Sequence, residues 1–276
     1  MNRASLLVTC AALLAACGCR PDPLPEPELR ARLTELGSGR KAFSSISAAY
    51  DMSMAGRRED GRKGSLSCSG RLVAVRDKGL RMQGEKALGM AKIFDFLKTG
   101  DSYRLYFIHG EKFFVGSVSR ALASRGADKL VGDHLDLAAL LFPVPALEGE
   151  GAPEFVYGGR ETRLLWSERP GQGRRILVVD SAYARPLRTE VFDADGRRVA
   201  VLHYRPLLDC DQFRPVGGFK LRGAGGRRFK LDVNFSKVKI NSKVKDAVFR
   251  LKPPRGMKIT DVDAGKPEEP AGPESK

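Results

Sequence analysis

Histidine is scarce in this chain of 276 residues: only His109, His134 and His203 occur, and no two lie at a spacing typical of metal ligands. The sequence also lacks the Gly-x-Ser-x-Gly elbow of serine hydrolases and the Walker loop that cradles phosphate. Two glycine clusters, at residues 217–218 and 223–226, lack the strand–turn–helix setting of a dinucleotide site and are predicted to be hairpin turns. We therefore predict that the protein is not an enzyme and has no catalytic residue, no bound metal and no cofactor.

The apolar run nearest the N-terminus is too short to cross a bilayer. Residues 6–16 supply eleven apolar or small residues, whereas a transmembrane helix needs about 20. With Arg3 before it and small residues at its end, the run is typical of a signal peptide. The segment Leu14-Ala15-Ala16-Cys17 resembles the bacterial lipobox, which implies that residues 1–16 are removed and that acyl chains on Cys17 hold the protein on a membrane. A plain signal peptide followed by a chance cysteine is the alternative.

The residue after Cys17 indicates whether the lipoprotein would stay in the inner membrane or be delivered to the outer membrane. In proteobacteria an aspartate at this position commonly retains lipoproteins in the inner membrane. Gly18 stands there in this chain. The lipobox resemblance is therefore compatible with delivery to the outer membrane.

Cysteine usage leaves the question of a disulfide open. Once Cys10 has left with the signal peptide and Cys17 has been lipidated, Cys19, Cys68 and Cys210 remain. An odd number cannot all pair within one chain. A bridge between Cys68 and Cys210 would suit an oxidising compartment, and free thiols are the alternative.

Acidic residues are outnumbered by basic ones, 33 against 48, and the formal net charge is +15. Nucleic acid is the usual partner of so basic a chain, but an exported protein rarely meets it. We therefore predict no nucleic-acid partner and consider anionic lipid headgroups the better match. A basic surface that serves only solubility is the alternative.

The hydrophobic pattern predicts a tether followed by a helix. Alternating prolines in residues 20–28 favour extended polyproline II of roughly 25 Å, so residues 17–28 are predicted to be a stiff tether. Leucines at helical spacing predict a short amphipathic helix over residues 28–36 that ends at Gly37.

A mainly β domain is predicted over residues 29–262. From residue 46 onward, apolar residues alternate with polar ones in short runs separated by turns, which is typical of an antiparallel meander. A helical interlude near residues 119–142 divides the strands. The apolar parity switches after Phe235, so a bulge or turn is predicted near residues 236–237. Residues 263–276, rich in Pro, Glu and Gly, are predicted to be disordered.

The order of these parts resembles that of LolA and LolB, the periplasmic carrier and the outer-membrane receptor for lipoproteins. Residues 249–256, Phe-Arg-Leu-Lys-Pro-Pro-Arg-Gly, are similar to the C-terminal Phe-x-Phe-x-Pro-Pro-x-Gly pattern of that superfamily. Residues 86–90 resemble the Pro-Leu-Gly segment of LolB. The resemblance implies a fold that is mainly β with a few helices, a half-open antiparallel β-barrel of about eleven strands closed by short helices.

The resemblance also implies two kinds of site. A leucine on a projecting loop of LolB assists membrane transfer, which makes Leu88 and Met90 the candidates for a membrane-contacting loop. The apolar concave face of the half-barrel would accept acyl chains. Strand parity places the following residues on its wall: Leu66, Leu72, Leu80, Met82, Phe94, Phe96, Leu105, Phe107, Trp166, Val178, Phe229 and Phe235. An ordinary dry core is the alternative for each of them.

Together these patterns predict a lipid-anchored protein that faces the periplasm from the outer membrane. It would bind acyl chains or lipoproteins in its half-barrel during localisation of lipids or lipoproteins. The alternative is a structural or scaffolding lipoprotein whose barrel is filled and has no ligand. An open apolar pocket of several hundred Å³ would favour the first interpretation.

Overall fold

The computed structural model describes residues 21–57, 63–86, 91–118, 137–149, 151–167, 173–223 and 229–264, and fourteen strands of these residues form one sheet. A long helix precedes the strands and a short one divides them. The elements in chain order are α1 (Glu26–Ala42), β1 (Ser45–Arg57), β2 (Lys63–Val75), β3 (Gly79–Lys86), β4 (Ala91–Thr99), β5 (Ser102–Phe107), β6 (Lys112–Ser117), α2 (Leu137–Leu141), β7 (Glu154–Gly158), β8 (Glu161–Trp166), β9 (Arg174–Asp180), β10 (Arg185–Phe192), β11 (Arg198–Tyr204), β12 (Gly218–Gly223), β13 (Lys230–Ile240), a 3₁₀-helix (Asp246–Phe249) and β14 (Ile259–Asp261).

The sheet consists of two meanders joined through β1 and β13. Its strand order is β14-β6-β5-β4-β3-β2-β1-β13-β12-β11-β10-β9-β8-β7. The mainly β prediction is confirmed, but the predicted count of about eleven strands is not. The sheet has fourteen strands and is not closed, with β7 and β14 at its two edges. It is also not wholly antiparallel, because β14 runs parallel to β6.

The strands that the sequence pattern missed are β7, β12 and β14. β12 begins at Gly218 and ends at Gly223, so glycines interpreted as hairpin turns are instead its terminal residues. Only Phe219 and Leu221 show its alternation. β7 has five residues and β14 has three, which is too few for a period of two to be recognised.

Helix α1 runs from Glu26 to Ala42 and exceeds the predicted residues 28–36 at both ends. Prolines at positions 25 and 27 are compatible with its start, because the first N–H groups of a helix have no carbonyl partner within it. The backbone N–H of Leu24 donates to the carbonyl of Ser181 at 3.0 Å, so the chain is already attached to the sheet before the helix begins.

The prediction that α1 ends at Gly37 is wrong, because the helix continues to Ala42. Gly37 and Gly39 instead lie where the helix packs closely against the chain after α2. A Cβ on Gly37 would lie 3.0 Å from the carbonyl oxygen of Pro145, and a Cβ on Gly39 would lie 3.1 Å from the ring of Phe142. The two glycines therefore let α1 approach the chain that follows α2 more closely than any other residue would allow.

The predicted bulge in the last long strand is confirmed. β13 pairs with β1 in one register up to Ser236 and in another from Lys239, and Lys237 has a left-handed φ of 51°. The extra residue accounts for the switch of apolar parity between Phe235 and Val238.

Both helices cover the concave face of the sheet. The central cluster joins α2 to the middle strands, and its fully buried members include Ile46, Tyr50 and Leu141. A second cluster, here called the α1 cluster, joins Leu29 and Leu33 of α1 to Leu164, Leu177 and Val179 of β8 and β9. Apolar side chains of both meanders are thus buried beneath the two described helices.

Glycine–aromatic pairs shape the first meander. Three aromatic side chains lie directly across from glycines on the neighbouring strand, and a Cβ on each glycine would approach the aromatic side chain to between 2.3 and 3.0 Å: Tyr50 with Gly70, Phe94 with Gly84, and Tyr103 with Gly116. Each aromatic side chain packs over the bare backbone opposite it, in space that a side chain in place of the glycine would occupy.

A C-terminal strap, residues 246–261, crosses the outer face of the same meander. Leu251 of the strap packs on Leu97 and Phe113, and two strand arginines donate to strap carbonyls. Arg81 reaches the carbonyl of Val248, and Arg104 that of Leu251, each at 2.8 Å. The strap ends as β14, which covers the edge of β6.

Arg81 also holds an ion pair under the strap. Its guanidinium donates to both carboxylate oxygens of Asp95, at 2.9 and 2.6 Å, and Gln83 donates to one of them at 2.8 Å. The pairing raises the pKa of Arg81, and it satisfies a carboxylate that is almost fully buried.

None of the helices in the described ranges is both long and apolar enough to cross a membrane.

Candidate functional site

A pocket of about 820 Å³ opens on the concave side, where α1 ends and β2, β3 and β4 reach their turns. Its volume falls within the range of small-molecule sites, about 300–1,000 Å³. The floor is apolar and is supplied by the chain between α1 and β1, by β2 and β3, and by the start of α2: Phe43, Ala74, Leu80, Leu137 and Ala138. Among the residues that the structure describes, α1 and α2 border this end of the concave side without filling it.

The rim of the pocket is basic. Five cationic side chains line it: Arg40, Lys41, Arg76, Lys78 and Lys98. Among its described lining residues, Asp77 is the one carboxylate. Such a rim attracts anions, and the attraction is stronger beside an apolar floor than in open water.

Arg76 is fixed in place at the rim. Its guanidinium donates to the carbonyl of Lys41 at 3.1 Å and to the carbonyl of Arg40, and it lies 5.8 Å from the centre of the Phe43 ring. Those two carbonyls belong to the last turn of α1, where a helix has partial negative charge. The charge of Arg76 is therefore held beside the pocket by the end of α1.

Lys78 has a partner of its own. It donates to the carboxylate of Asp246 in the C-terminal strap, and this hydrogen bond lowers the pKa of Asp246. Lys78 therefore contributes less net charge to the pocket than its neighbours do.

Lys98 lies beside the floor residue Leu80. It lies across from Leu80 on β3 and from Tyr103 on β5, on the same face as Phe94 and Phe96. The residue is half-buried, which is typical of a lysine whose aliphatic stem lies along apolar surface and whose ammonium group faces solvent.

The structure places eleven of the twelve predicted wall residues on or against the concave face. Eight belong to the central cluster or pack on it: Leu72, Leu80, Met82, Phe94, Phe96, Leu105, Phe229 and Phe235. Trp166 packs on the α1 cluster. Leu66 shares the parity of Cys68, and Phe107 lies across from Phe94 and remains 37% exposed. Of all these residues only Leu80 lines the pocket.

Val178 lies on the opposite face. Its neighbours Leu177 and Val179 belong to the α1 cluster on the concave side, and successive side chains of a strand point to opposite faces. Val178 is nevertheless fully buried.

Three predicted site residues, Cys17, Leu88 and Met90, lie outside the described residues, as do the predicted signal peptide and most of the predicted tail. The pocket lies at the Gly79 end of β3 and the Lys98 end of β4. Residues 87–90 connect the opposite ends of those two strands.

Most residues of the pocket were missed by the sequence analysis. Ala74 and Lys98 could have been predicted to face the concave side, because each lies two residues after a predicted wall residue, Leu72 on β2 and Phe96 on β4. Nothing in the sequence pattern indicated Arg40, Lys41 and Phe43, because the helix was predicted to end at Gly37.

Three nucleophilic side chains of the concave face, those of Cys68, Tyr50 and Tyr204, have raised pKa values. Burial raises the pKa of the Cys68 thiol and of the Tyr50 hydroxyl, which donates to the carbonyl of Gln83 at 3.1 Å. Burial also raises the pKa of Tyr204 to about 12, and its hydroxyl donates to Thr189 at 2.9 Å. Cys68 and Cys210 are free thiols. In the part of the chain that the structure describes, no group of three or more His, Cys, Asp or Glu side chains could hold a metal ion.

Comparison with known proteins identifies the architecture. No protein-family model and no curated sequence matches this chain. Among solved structures, a LolA superfamily protein from Nitrosomonas europaea aligns with a TM-score of 0.50 over 81% of this chain and 97% of its own, at 12% identity. The fold is LolA/LolB-like. The resemblance derived from the order of the elements is therefore confirmed.

Two further structures are similar over comparable lengths. A protein domain described as outer-membrane lipoprotein-sorting, from Vibrio parahaemolyticus, aligns with a TM-score of 0.48 at 13% identity, over 78% of this chain and 95% of that one. A DUF1329 family protein from Desulfovibrio piger aligns with a TM-score of 0.49 at 16% identity, over 81% and 95%. At these identities the likeness concerns the fold alone.

Proposed function

We propose that this chain is a lipid-anchored envelope protein that binds acyl chains of a lipid or lipoprotein in the basic-rimmed pocket and releases them by a difference in affinity. The observation that carries the proposal is the pocket of about 820 Å³ with an apolar floor, on the concave side of a sheet that is not closed. The similar protein domain from Vibrio parahaemolyticus is described as lipoprotein-sorting, which agrees with a role of this class.

The energetics suit reversible binding. Each methylene buried on the floor contributes about 0.8 kcal/mol. About ten methylenes would contribute about 8 kcal/mol before the entropic cost of holding the ligand is subtracted, so the Kd would be micromolar or weaker. Binding of that strength permits both uptake from one membrane and release to another.

A scaffolding role without a ligand is the second candidate. It is favoured by the filling of the central concave face, where Leu72, Phe94 and Phe235 are all buried beside α2. In this interpretation the pocket holds only water.

Filling the pocket should separate these two candidates. Ala146 is exposed and lines the pocket, so Ala146→Trp should place a bulky side chain there without disturbing the core. We expect the affinity of the detergent-free mature protein for a fluorescent fatty-acid probe to fall by about tenfold or more. Ala152→Trp, at an exposed alanine that is not among the lining residues, is the matched control. No probe binding by the wild-type protein, or equal binding by the two variants, would favour the scaffold.

The lipid anchor has its own test. Cys17→Ser should move the protein into the soluble periplasmic fraction, because the anchor requires acyl chains on that thiol. Cys19→Ser, two residues away, should leave it in the outer-membrane fraction. If Cys17→Ser protein still sediments with membranes after a high-salt wash, the anchor proposal is wrong.

A further inference from the structure

The pocket combines two features that a site for a neutral hydrocarbon would not need together. Its floor is apolar, yet five cations surround it. In the described lining only Asp77 opposes them, and Asp246 is engaged with Lys78 at the outer side. The surplus of positive charge remains beside a surface from which water is partly excluded.

The cations differ in how freely they could meet a ligand. Arg76 donates hydrogen bonds to the carbonyls of α1, and Lys78 donates one to the carboxylate of Asp246. Within the described residues, Lys98 and Lys41 have neither kind of contact, and Lys98 lies on the same strand face as Phe96, directly across from Leu80. A ligand on the floor would therefore meet the ammonium group of Lys98 where its apolar part ends.

An anion is the ligand group that Lys98 would bind best. Its ammonium group borders both the open space and the apolar floor, and an anion with hydrogen-bond acceptors pairs with a cation more strongly there than in open water. The fixed guanidinium of Arg76 lies on the same rim and adds to the positive potential.

We propose that the ligand is an anionic amphiphile, with an acyl chain on the floor of Leu80 and Ala138 and a phosphate or carboxylate group at Lys98 and Lys41. This inference rests on the proposed function and specifies its ligand. The class it names is an anionic lipid such as phosphatidylglycerol, in contrast to a zwitterionic lipid with the same chains.

The test compares ligands that differ only in charge. Detergent-free mature protein is offered a fluorescent fatty acid and its methyl ester, and then phosphatidylglycerol or phosphatidylcholine with identical chains as competitors. We expect the acid to bind about tenfold more tightly than the ester, and phosphatidylglycerol to compete better than phosphatidylcholine. The preference should weaken as ionic strength rises.

Lys98→Met tests the position of the charge. Methionine keeps the apolar stem, so the variant should lose the preference for the acid but bind the ester as the wild type does. Lys92→Met, an exposed lysine near the start of the same strand, should retain the preference. Equal affinity of the wild type for acid and ester would overturn this inference while leaving acyl-chain binding intact, whereas failure of both probes to bind would overturn the proposed function itself.

Inorganic phosphate distinguishes a lipid headgroup from a free anion. We expect millimolar phosphate not to displace phosphatidylglycerol, because the acyl chain supplies most of the affinity. If phosphate alone displaces the lipid, the site binds a free anion and the lipid assignment is wrong.

Discussion

Gly70→Ala should lower the stability of the domain by about 3 kcal/mol or more, although it adds a single methyl group. The new Cβ would lie 1.9 Å from the carbonyl oxygen of Gln83 and 2.8 Å from the Tyr50 side chain. The first of these contacts is with backbone on the neighbouring strand, so no side-chain rotation can relieve it. The hydrogen bond from Tyr50 to the same carbonyl would be disturbed as well.

Gly110→Ala is the matched control for this prediction. Gly110 lies in the turn between β5 and β6, and a Cβ there would meet only Lys112, at 3.9 Å. Its stability should change by less than about 0.5 kcal/mol. Thermal unfolding followed by circular dichroism should show a melting temperature about 10 °C lower for Gly70→Ala. Similar melting temperatures for the two variants would show that Tyr50 and the backbone of Gln83 do not pack this closely against Gly70.

Strands could be predicted from the sequence where they are long and have one face exposed to solvent. β1, β2 and β13 each show an alternation of apolar and polar residues over many positions, and even the bulge at Lys237 could be located from the change of parity. Edge strands and glycine-bounded strands carry no such signal. This is why β7, β12 and β14 were missed and why the sheet is larger than expected.

The position of the pocket could not be derived from strand parity. Parity identifies which side chains face the concave side, but not which of them a helix covers. Leu72 and Leu80 have the same pattern in sequence, yet Leu72 is buried in the central cluster and Leu80 lines the open pocket. The difference arises from where α1 and α2 lie, and Gly37 and Gly39 set that placement through contacts distant in sequence.

The position of Lys98 could be predicted only in part from the sequence. The net charge of +15 predicted an anionic partner without indicating a surface. Lys98 follows Phe94 and Phe96 at a spacing of two, so its place on an apolar face could have been noticed. Arg40 and Lys41 become its neighbours only because α1 continues to Ala42.

Leu33→Ala should have the second large effect, because Leu33 attaches α1 to the sheet. Its side chain is 0% exposed and packs in the α1 cluster with Val144, Leu164 and Leu177. Truncating a fully buried leucine costs about 2–5 kcal/mol. We expect a loss of about 3 kcal/mol in urea unfolding, with an unchanged m-value if the native sheet is retained.

The same substitution should weaken ligand binding before the domain unfolds. The last turn of α1 and the residues after it supply Arg40, Lys41 and Phe43 to the pocket, so a loosened helix displaces part of the rim and part of the floor. Thr34→Ala is the control, because Thr34 is the next residue of the helix but is exposed, and its hydroxyl donates only to the carbonyl of Arg30. Thr34→Ala should keep stability within about 0.5 kcal/mol and bind the fatty-acid probe as the wild type does. If Leu33→Ala loses stability yet binds the probe normally, the pocket does not depend on α1, and the ligand would have to be held by β2, β3 and α2 alone.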